Sequence, residues 1–301
     1  MQTIDCEVLF RPDNDQLRFL PEGPIDLGDG CFSWVAIQHG ADSQIGSLNI
    51  FDMSTGKNAT HELPGRPGFA LPTADGVFVI GAERTIGQFD TNTGEWTELA
   101  TGIDDDVENT IINDGVQFNG GLIFGSKDLE FKTKKAGLYV MRDGQEPVRL
   151  RSDQICSNGK VVLQDNDDKI KFLDIDSPTR LVVEYALDGD LLSEPRVVLD
   201  LRDCNDVPDG MVGTPDGKSA IIAFYNPNDA PHGEARQYSL ATGEVECVWK
   251  TDRAPQVTCP LLIEHKGKVK LILTTAVEHM PAEKLERHPN SGCLFIGETS
   301  F

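Results

Sequence analysis

The sequence predicts an all-β fold, a six-bladed β-propeller with four-stranded antiparallel blades whose ring is closed by the N-terminal strand. Three observations point there. Short turn pairs recur at near-even spacing, Asp29-Gly30, Asp75-Gly76, Asn119-Gly120, Asp167-Asp168, Asp216-Gly217 and Lys266-Gly267, with intervals of 46, 44, 48, 49 and 50 residues between their second members. Such a period matches a propeller blade rather than a helical solenoid unit. Directly after each pair comes a run rich in β-branched and aromatic residues, as in Phe32-Ser33-Trp34-Val35 and Ala220-Ile221-Ile222-Ala223-Phe224, the signature of a strand leaving a tight turn. A second set of turns, Thr55-Gly56, Thr93-Gly94, Asp143-Gly144, Asp188-Gly189 and Thr242-Gly243, follows an aromatic residue in each case and joins a third strand to a fourth.

The last repeat is cut short, because Leu294-Phe295-Ile296 reaches Gly297 with four residues left. Its fourth strand is expected from residues 5–10, which resemble the fourth-strand segment 244–249. That pairing would leave no exposed edge. Residues 1–301 are therefore expected to form a single propeller domain. Strands alternate in direction, so the tight turns gather on one face and the longer connections, among them 126–136, 225–233 and 276–291, on the other.

Composition narrows the partners. With 27 Lys and Arg against 49 Asp and Glu, the net charge of −22 argues against nucleic acid or an anionic bilayer. Acidity on this scale serves solubility, or a concave acidic region that concentrates cations. The seven cysteines are spread along the chain with no CxxC pair, a pattern of buried thiols in a reducing compartment rather than of a disulfide framework. No secretory leader and no apolar run of roughly 18 residues is present, so a cytoplasmic protein is expected.

Counting back from each first-turn marker reaches the start of an innermost strand, at Glu22, Gly68, Asn113, Asn158, Asp209 and Thr258. Carboxylates, amides and a hydroxyl in one phase across the repeats, with no histidine among them, suit a hard divalent cation such as Ca²⁺, Mg²⁺ or Mn²⁺. Turn chemistry alone explains any single Asp-Gly or Asn-Gly pair. The shared phase is what favours metal.

Glu22-Gly23-Pro24, Asn113-Asp114-Gly115, Ser157-Asn158-Gly159, Pro208-Asp209-Gly210-Met211 and Pro255-Gln256-Val257-Thr258 occur in an order that resembles the senescence marker protein, regucalcin and gluconolactonase family over nearly the whole chain. The resemblance implies a six-bladed propeller that hydrolyses small-molecule sugar lactones with one divalent metal ion, held by Glu22, Asn158 and Asp209. It also implies that Asn113 and Glu130 contact substrate. Metal identity among Ca²⁺, Zn²⁺, Mn²⁺, Mg²⁺ and Fe²⁺ stays open, as does oligomeric state.

Two departures from the family pattern matter. Ile111 stands where sugar lactonases of this type carry Arg, and Ala36 where they often carry Asp. Loss of the Arg removes a polyol contact, and Lys127 is the candidate replacement for its charge. In the expected reaction Asp209 is both ligand and general base. A phosphotriesterase-like hydrolase on the same metal and a non-catalytic calcium-binding propeller are the alternatives. The sequence has no GxSxG, HExxH, GxxxxGK[ST] or GxGxxG motif, which sets aside serine hydrolases, zincins and nucleotide-binding folds.

Overall fold

A computed structural model describes residues 1–166 and 169–301. The turn marker at Asp167-Asp168 lies outside the described residues. The fold is all-β and of propeller type. Strand β1 (Gln2–Phe10) precedes a first blade of β2 (Pro21–Gly28), β3 (Cys31–Ala36), β4 (Ser47–Asp52) and β5 (Lys57–Glu62). The second blade is β6 (Pro67–Ala74), β7 (Val77–Ala82), β8 (Thr85–Asp90) and β9 (Glu95–Ala100). The third is β10 (Thr110–Phe118), β11 (Gly121–Asp128), β12 (Ala136–Arg142) and β13 (Val148–Gln154). In the fourth, β14 (Ser157–Asn166), β15 (Lys169–Asp176) and β16 (Leu181–Asp188) are followed by β17 (Leu191–Leu192) and β18 (Arg196–Asp200), which both pair with β16. The remaining strands are β19 (Val207–Gly213), β20 (Ser219–Tyr225), β21 (His232–Ser239), β22 (Val245–Asp252), β23 (Val257–His265), β24 (Lys268–Thr275) and β25 (Leu294–Glu298). A short helix α1 (Ala282–Arg287) interrupts the last connection.

Expected turns fall between the expected strands. Asp29 and Gly30 have φ of 52° and 74°, and Lys266 and Gly267 have 53° and 71°. Positive φ at both central residues of a two-residue loop is the type I′ geometry that matches strand twist.

The expectation of six separate blades, closed by the N-terminal strand, is corrected. Among the described residues four blades stand as separate sheets, and β19 to β25 with β1 make one eight-stranded sheet in the order β19-β20-β21-β22-β1-β25-β24-β23. The reason lies in how β1 bonds. Its first half runs parallel to β22, from Gln2 opposite Cys247 to Cys6 opposite Thr251. Its second half runs antiparallel to β25, with Glu7 opposite Ile296 and Val8 opposite Phe295. A strand that pairs on both sides joins its neighbours, so the last two sequence repeats share a sheet.

The chain divides into two compact units, residues 1–67 with 205–301 and residues 68–204. Each has its own apolar core. In the first, Phe32, Trp34 and Phe51 of the first blade pack with Leu261, Ile263, Ile272 and Leu294 of the eight-stranded sheet. Trp249, Ala223, Leu273 and Phe295 form a second cluster inside that sheet. In the other unit Ile123, Leu138 and Val140 of the third blade meet Phe172, Tyr185 and Leu187 of the fourth. Full burial of each such side chain contributes about 1.5–3 kcal/mol, which holds neighbouring blade faces together. Among the described residues no helix is long and apolar enough to cross a membrane.

Gly297 of β25 reports on the fused sheet, since a Cβ there would lie 2.8 Å from Cys6 Sγ on β1 and 2.8 Å from Trp249 Cδ1 on β22. Gly297→Ala is expected to lower stability by about 1–3 kcal/mol through overpacking. A urea midpoint equal to that of wild type would contradict the packing of this junction.

Candidate functional site

The candidate residues stand where innermost strands depart from their ladders. In β10 the pairing runs Thr110 with Asp128, Ile111 with Lys127 and Ile112 with Ser126, then resumes at Asp114 with Gly125. Asn113 is left without an opposite residue. The same break spans Asp209 and Gly210, between Pro208 and Met211, and spans Thr258 and Cys259, between Val257 and Pro260. Glu22 and Asn158 keep their partners, Val35 and Ile175, and the register shifts immediately after them. Bulges of this kind re-aim side chains that a regular ladder would commit to alternate faces.

In the unit of residues 68–204 the structure brings Asn113 and Asn158 together. Asn113 Nδ2 donates to the Ser157 carbonyl at 2.8 Å, and Asn158 Nδ2 donates to Ser177 Oγ at 3.1 Å. Both amides approach the Cys156 sulfur, at 3.8 and 3.7 Å. With each Nδ2 engaged, Oδ1 is the remaining acceptor, and neither Oδ1 receives a hydrogen bond among the described residues. Oxygen donors fixed in this way fit a hard cation or a substrate hydroxyl. Gly68 closes the row, because a Cβ there would sit 2.3 Å from the Asn113 carbonyl oxygen.

In the other unit, Thr258 and Cys259 lie between the segments that carry Glu22 and Asp209. Thr258 Oγ1 donates to the Pro21 carbonyl at 2.6 Å, and a Cβ at Gly210 would be 2.5 Å from Cys259 Sγ. Glu22 is partly buried and its Oε2 accepts the Gly23 N–H at 3.0 Å. Asp209 is buried. Burial, with the carboxylates of Glu278 and Asp209 nearby, pushes the Tyr225 phenol well above its usual range. Among the described residues no three His, Cys, Asp and Glu side chains are grouped to hold a metal. The ligand set implied by the family resemblance contains two acids and an amide.

The substrate candidates separate. Ile111 and Lys127 are buried and face each other across the β10–β11 ladder. Lys127 also bridges to Cys156, beside the two amides. Glu130 is turned to solvent, its side chain 57% exposed and 3.7 Å from Lys132 Nζ. The neighbouring Asp128 organises that loop instead, accepting the N–H groups of Glu130, Lys132 and Thr133 and pairing with Lys135 at 3.0 Å. Despite full burial these bonds hold its carboxyl down at about 2.

Sequence reasoning missed the ion pair beneath Asn158. Lys160 Nζ lies 3.2 Å from Asp174, donates to Ser157 Oγ at 2.8 Å and to the Asn158 carbonyl at 2.9 Å, all out of contact with solvent. Its charge also offsets the burial that raises the Asp114 carboxyl. The available signal was a lysine directly after Asn158-Gly159, among the first buried positions of a strand.

A model of the SMP-30/Gluconolactonase/LRE-like region matches residues 20–277. The chain belongs to this family. Its fold is similar to that of a calcium-binding protein, regucalcin, from Agrobacterium tumefaciens, with a TM-score of 0.81 at 21% identity, covering 98% of this chain and 95% of the other. A luciferin-regenerating enzyme is similar at TM-score 0.76 and 19% identity, over 94% and 92% of the two chains. A gluconolactonase from Xanthomonas campestris is similar at 0.64 and 14%, over 97% and 88%. An uncharacterized protein from Sulfolobus acidocaldarius is 36% identical over 105 residues, which is 34% of this chain and 36% of that protein's length.

Asp176 ties this family member's Cys156 region to β15 by accepting the N–H groups of Ile155 and Cys156 at 3.1 and 2.9 Å. Burial pushes its carboxyl up to about 6, with Asp174 adding to the rise and the two N–H donors opposing it. A folded value above the usual 3.8 means that the stability from this group is full below about pH 4 and is lost as pH rises through 6. The difference corresponds to roughly 3 kcal/mol. Asp176→Asn keeps an oxygen acceptor without charge, so it is expected to exceed wild type by ~1–3 kcal/mol at pH 8 and to match it at pH 4. Denaturant titration at the two pH values checks this, and an equal difference at both would contradict it.

Proposed function

We propose that the chain is a divalent-metal-dependent hydrolase that opens a sugar-type or related lactone, and that residues 1–301 work as one domain. The observation that carries this reading is the break in the innermost ladders at Asn113 and Asp209, and just after Glu22 and Asn158, the positions that match the family's metal and substrate residues. Fold similarity to a gluconolactonase and to a calcium-binding protein supports it.

Glu22, Asn158 and Asp209 would hold the cation through oxygen. A divalent ion there supplies Lewis acidity toward the lactone carbonyl. Asp209 takes a proton from the attacking water as the water oxygen adds to the acyl carbon. The ring C–O bond then breaks, and the proton passes to the departing ring oxygen to give an open hydroxy acid. Asn113, anchored through Nδ2, offers Oδ1 to a substrate hydroxyl. Ile111 replaces a polar donor with an apolar surface, which favours a smaller, less hydroxylated or differently charged lactone. Glu130 takes no part in this scheme, since its carboxylate lies beside Lys132 in solvent.

A lactone panel assayed on chelated protein resupplied with Ca²⁺, Mn²⁺ or Zn²⁺ tests the proposal. Wild type is expected to hydrolyse at least one lactone only with metal restored, and Asp209→Asn to keep its circular dichroism while losing activity by about 100-fold or more. Wild-type turnover by that variant would contradict the role of Asp209. Hydrolysis of an organophosphate ester but no lactone would favour a phosphotriesterase, and Ca²⁺ binding with no hydrolysis a non-catalytic propeller.

A further inference from the structure

Among the described residues three lysines are buried, Lys127, Lys160 and Lys284. Two have partners that replace the water they lose. Lys160 has Asp174, Ser157 and the Asn158 carbonyl, and Lys284 Nζ donates to the Pro227 carbonyl at 2.7 Å. Lys127 is different. It is 7% exposed, and among the described residues no carboxylate lies within ion-pair distance and no acceptor within hydrogen-bond distance of Nζ. Its Nζ lies over the ring of Phe131, 5.8 Å from the centroid.

A ring contact returns only a fraction of the hydration that an ammonium gives up on burial. In a chain with 49 acidic residues, an amine placed apart from all the described ones is not short of possible partners. Its surroundings hold it ready: Ile111 lies opposite in the ladder, Cys156 is bridged to it, and Phe131 stands 46% exposed beside it. Apolar walls strengthen attraction to any anion that arrives. Cys156, whose backbone bridges to Lys127, is the residue whose sulfur both Asn113 and Asn158 approach, so the strand that carries this lysine runs beside the segment that carries the amides assigned to substrate and metal.

We propose that Lys127 binds a carboxylate carried by the substrate, so that the favoured lactones are acidic ones, derived from sugar acids with a second carboxyl group. The inference rests on the lactone reading above and names the substrate class. One ammonium matches the single charge of a carboxylate, whereas a phosphate dianion would bring a second charge into a strongly acidic protein.

Calorimetric titration of the full chain in Ca²⁺ with a hexaric acid, with the aldonic acid of the same length, which lacks only the second carboxylate, and with inorganic phosphate tests the proposal. Wild type is expected to bind the hexaric acid at least about tenfold more tightly than either other ligand. Lys127→Met should weaken hexaric acid binding about 10- to 100-fold, and Lys127→Arg should restore most of it. Equal binding of the hexaric acid by wild type and Lys127→Met would overturn the proposal, as would tighter binding of phosphate. Lactone hydrolysis measured on the same samples separates the two readings. Lys127-dependent binding without turnover of any lactone would sink the hydrolase and leave carboxylate recognition standing. Turnover in which Lys127→Met prefers acidic over neutral lactones as strongly as wild type does would sink the role of Lys127 alone.

Discussion

The candidate site depends on the loss of ladder register at, or just after, the residues that open the innermost strands. A regular antiparallel ladder would send Asn113, Asp209 and Thr258 to whichever face the alternation dictated, and blade cores would claim half of them. The shifts between Ile112 and Asp114, Pro208 and Met211, and Val257 and Pro260 release these residues from that rule. Close backbone approach makes the arrangement possible, with glycine at 68 and 210 where a Cβ would strike the neighbouring strand. Oxygen donors therefore stand on strands rather than on loops, which limits how far they can drift.

Beneath this layer the polar interior is asymmetric. Lys160 and Asp174 are both buried and satisfy one another, together with Ser157 and the backbone of Asn158. A buried pair of this kind adds little net stability, and removing one partner costs about 3–5 kcal/mol. Its value here is positional, because it pins Ser157 and Asn158, the two residues that open β14. Lys127, on β11 of the neighbouring sheet, has no such partner among the described residues, and the proposed role in recognition rests on that contrast.

The repeat was readable because tight turns need particular residues: Asp29 and Gly30 adopt the positive φ their identities favour, and Lys266-Gly267 takes the same turn with glycine in the second place. Phase relative to those turns was enough to find Asn113, Asn158, Asp209 and Thr258 at the strand starts. The number of separate sheets was not readable. Periodicity counts repeats, while sheet membership depends on which strands exchange hydrogen bonds, and β1 exchanges them with both β22 and β25. Glu130 was placed by family resemblance alone, and a loop organised by Asp128 turns it outward. Lys160 and Asp174 were hidden because they meet across two strands, with nothing in either segment to mark the other.

The proposed function gives these features a common purpose, a cation gripped by oxygen and a lactone held against it. Crystals grown with Mn²⁺ and measured for anomalous scattering address that claim most directly. The account predicts one strong peak within about 2.6 Å of side-chain oxygens from Glu22, Asn158 and Asp209. Density for the ion elsewhere, or coordination that omits these three residues, would contradict it.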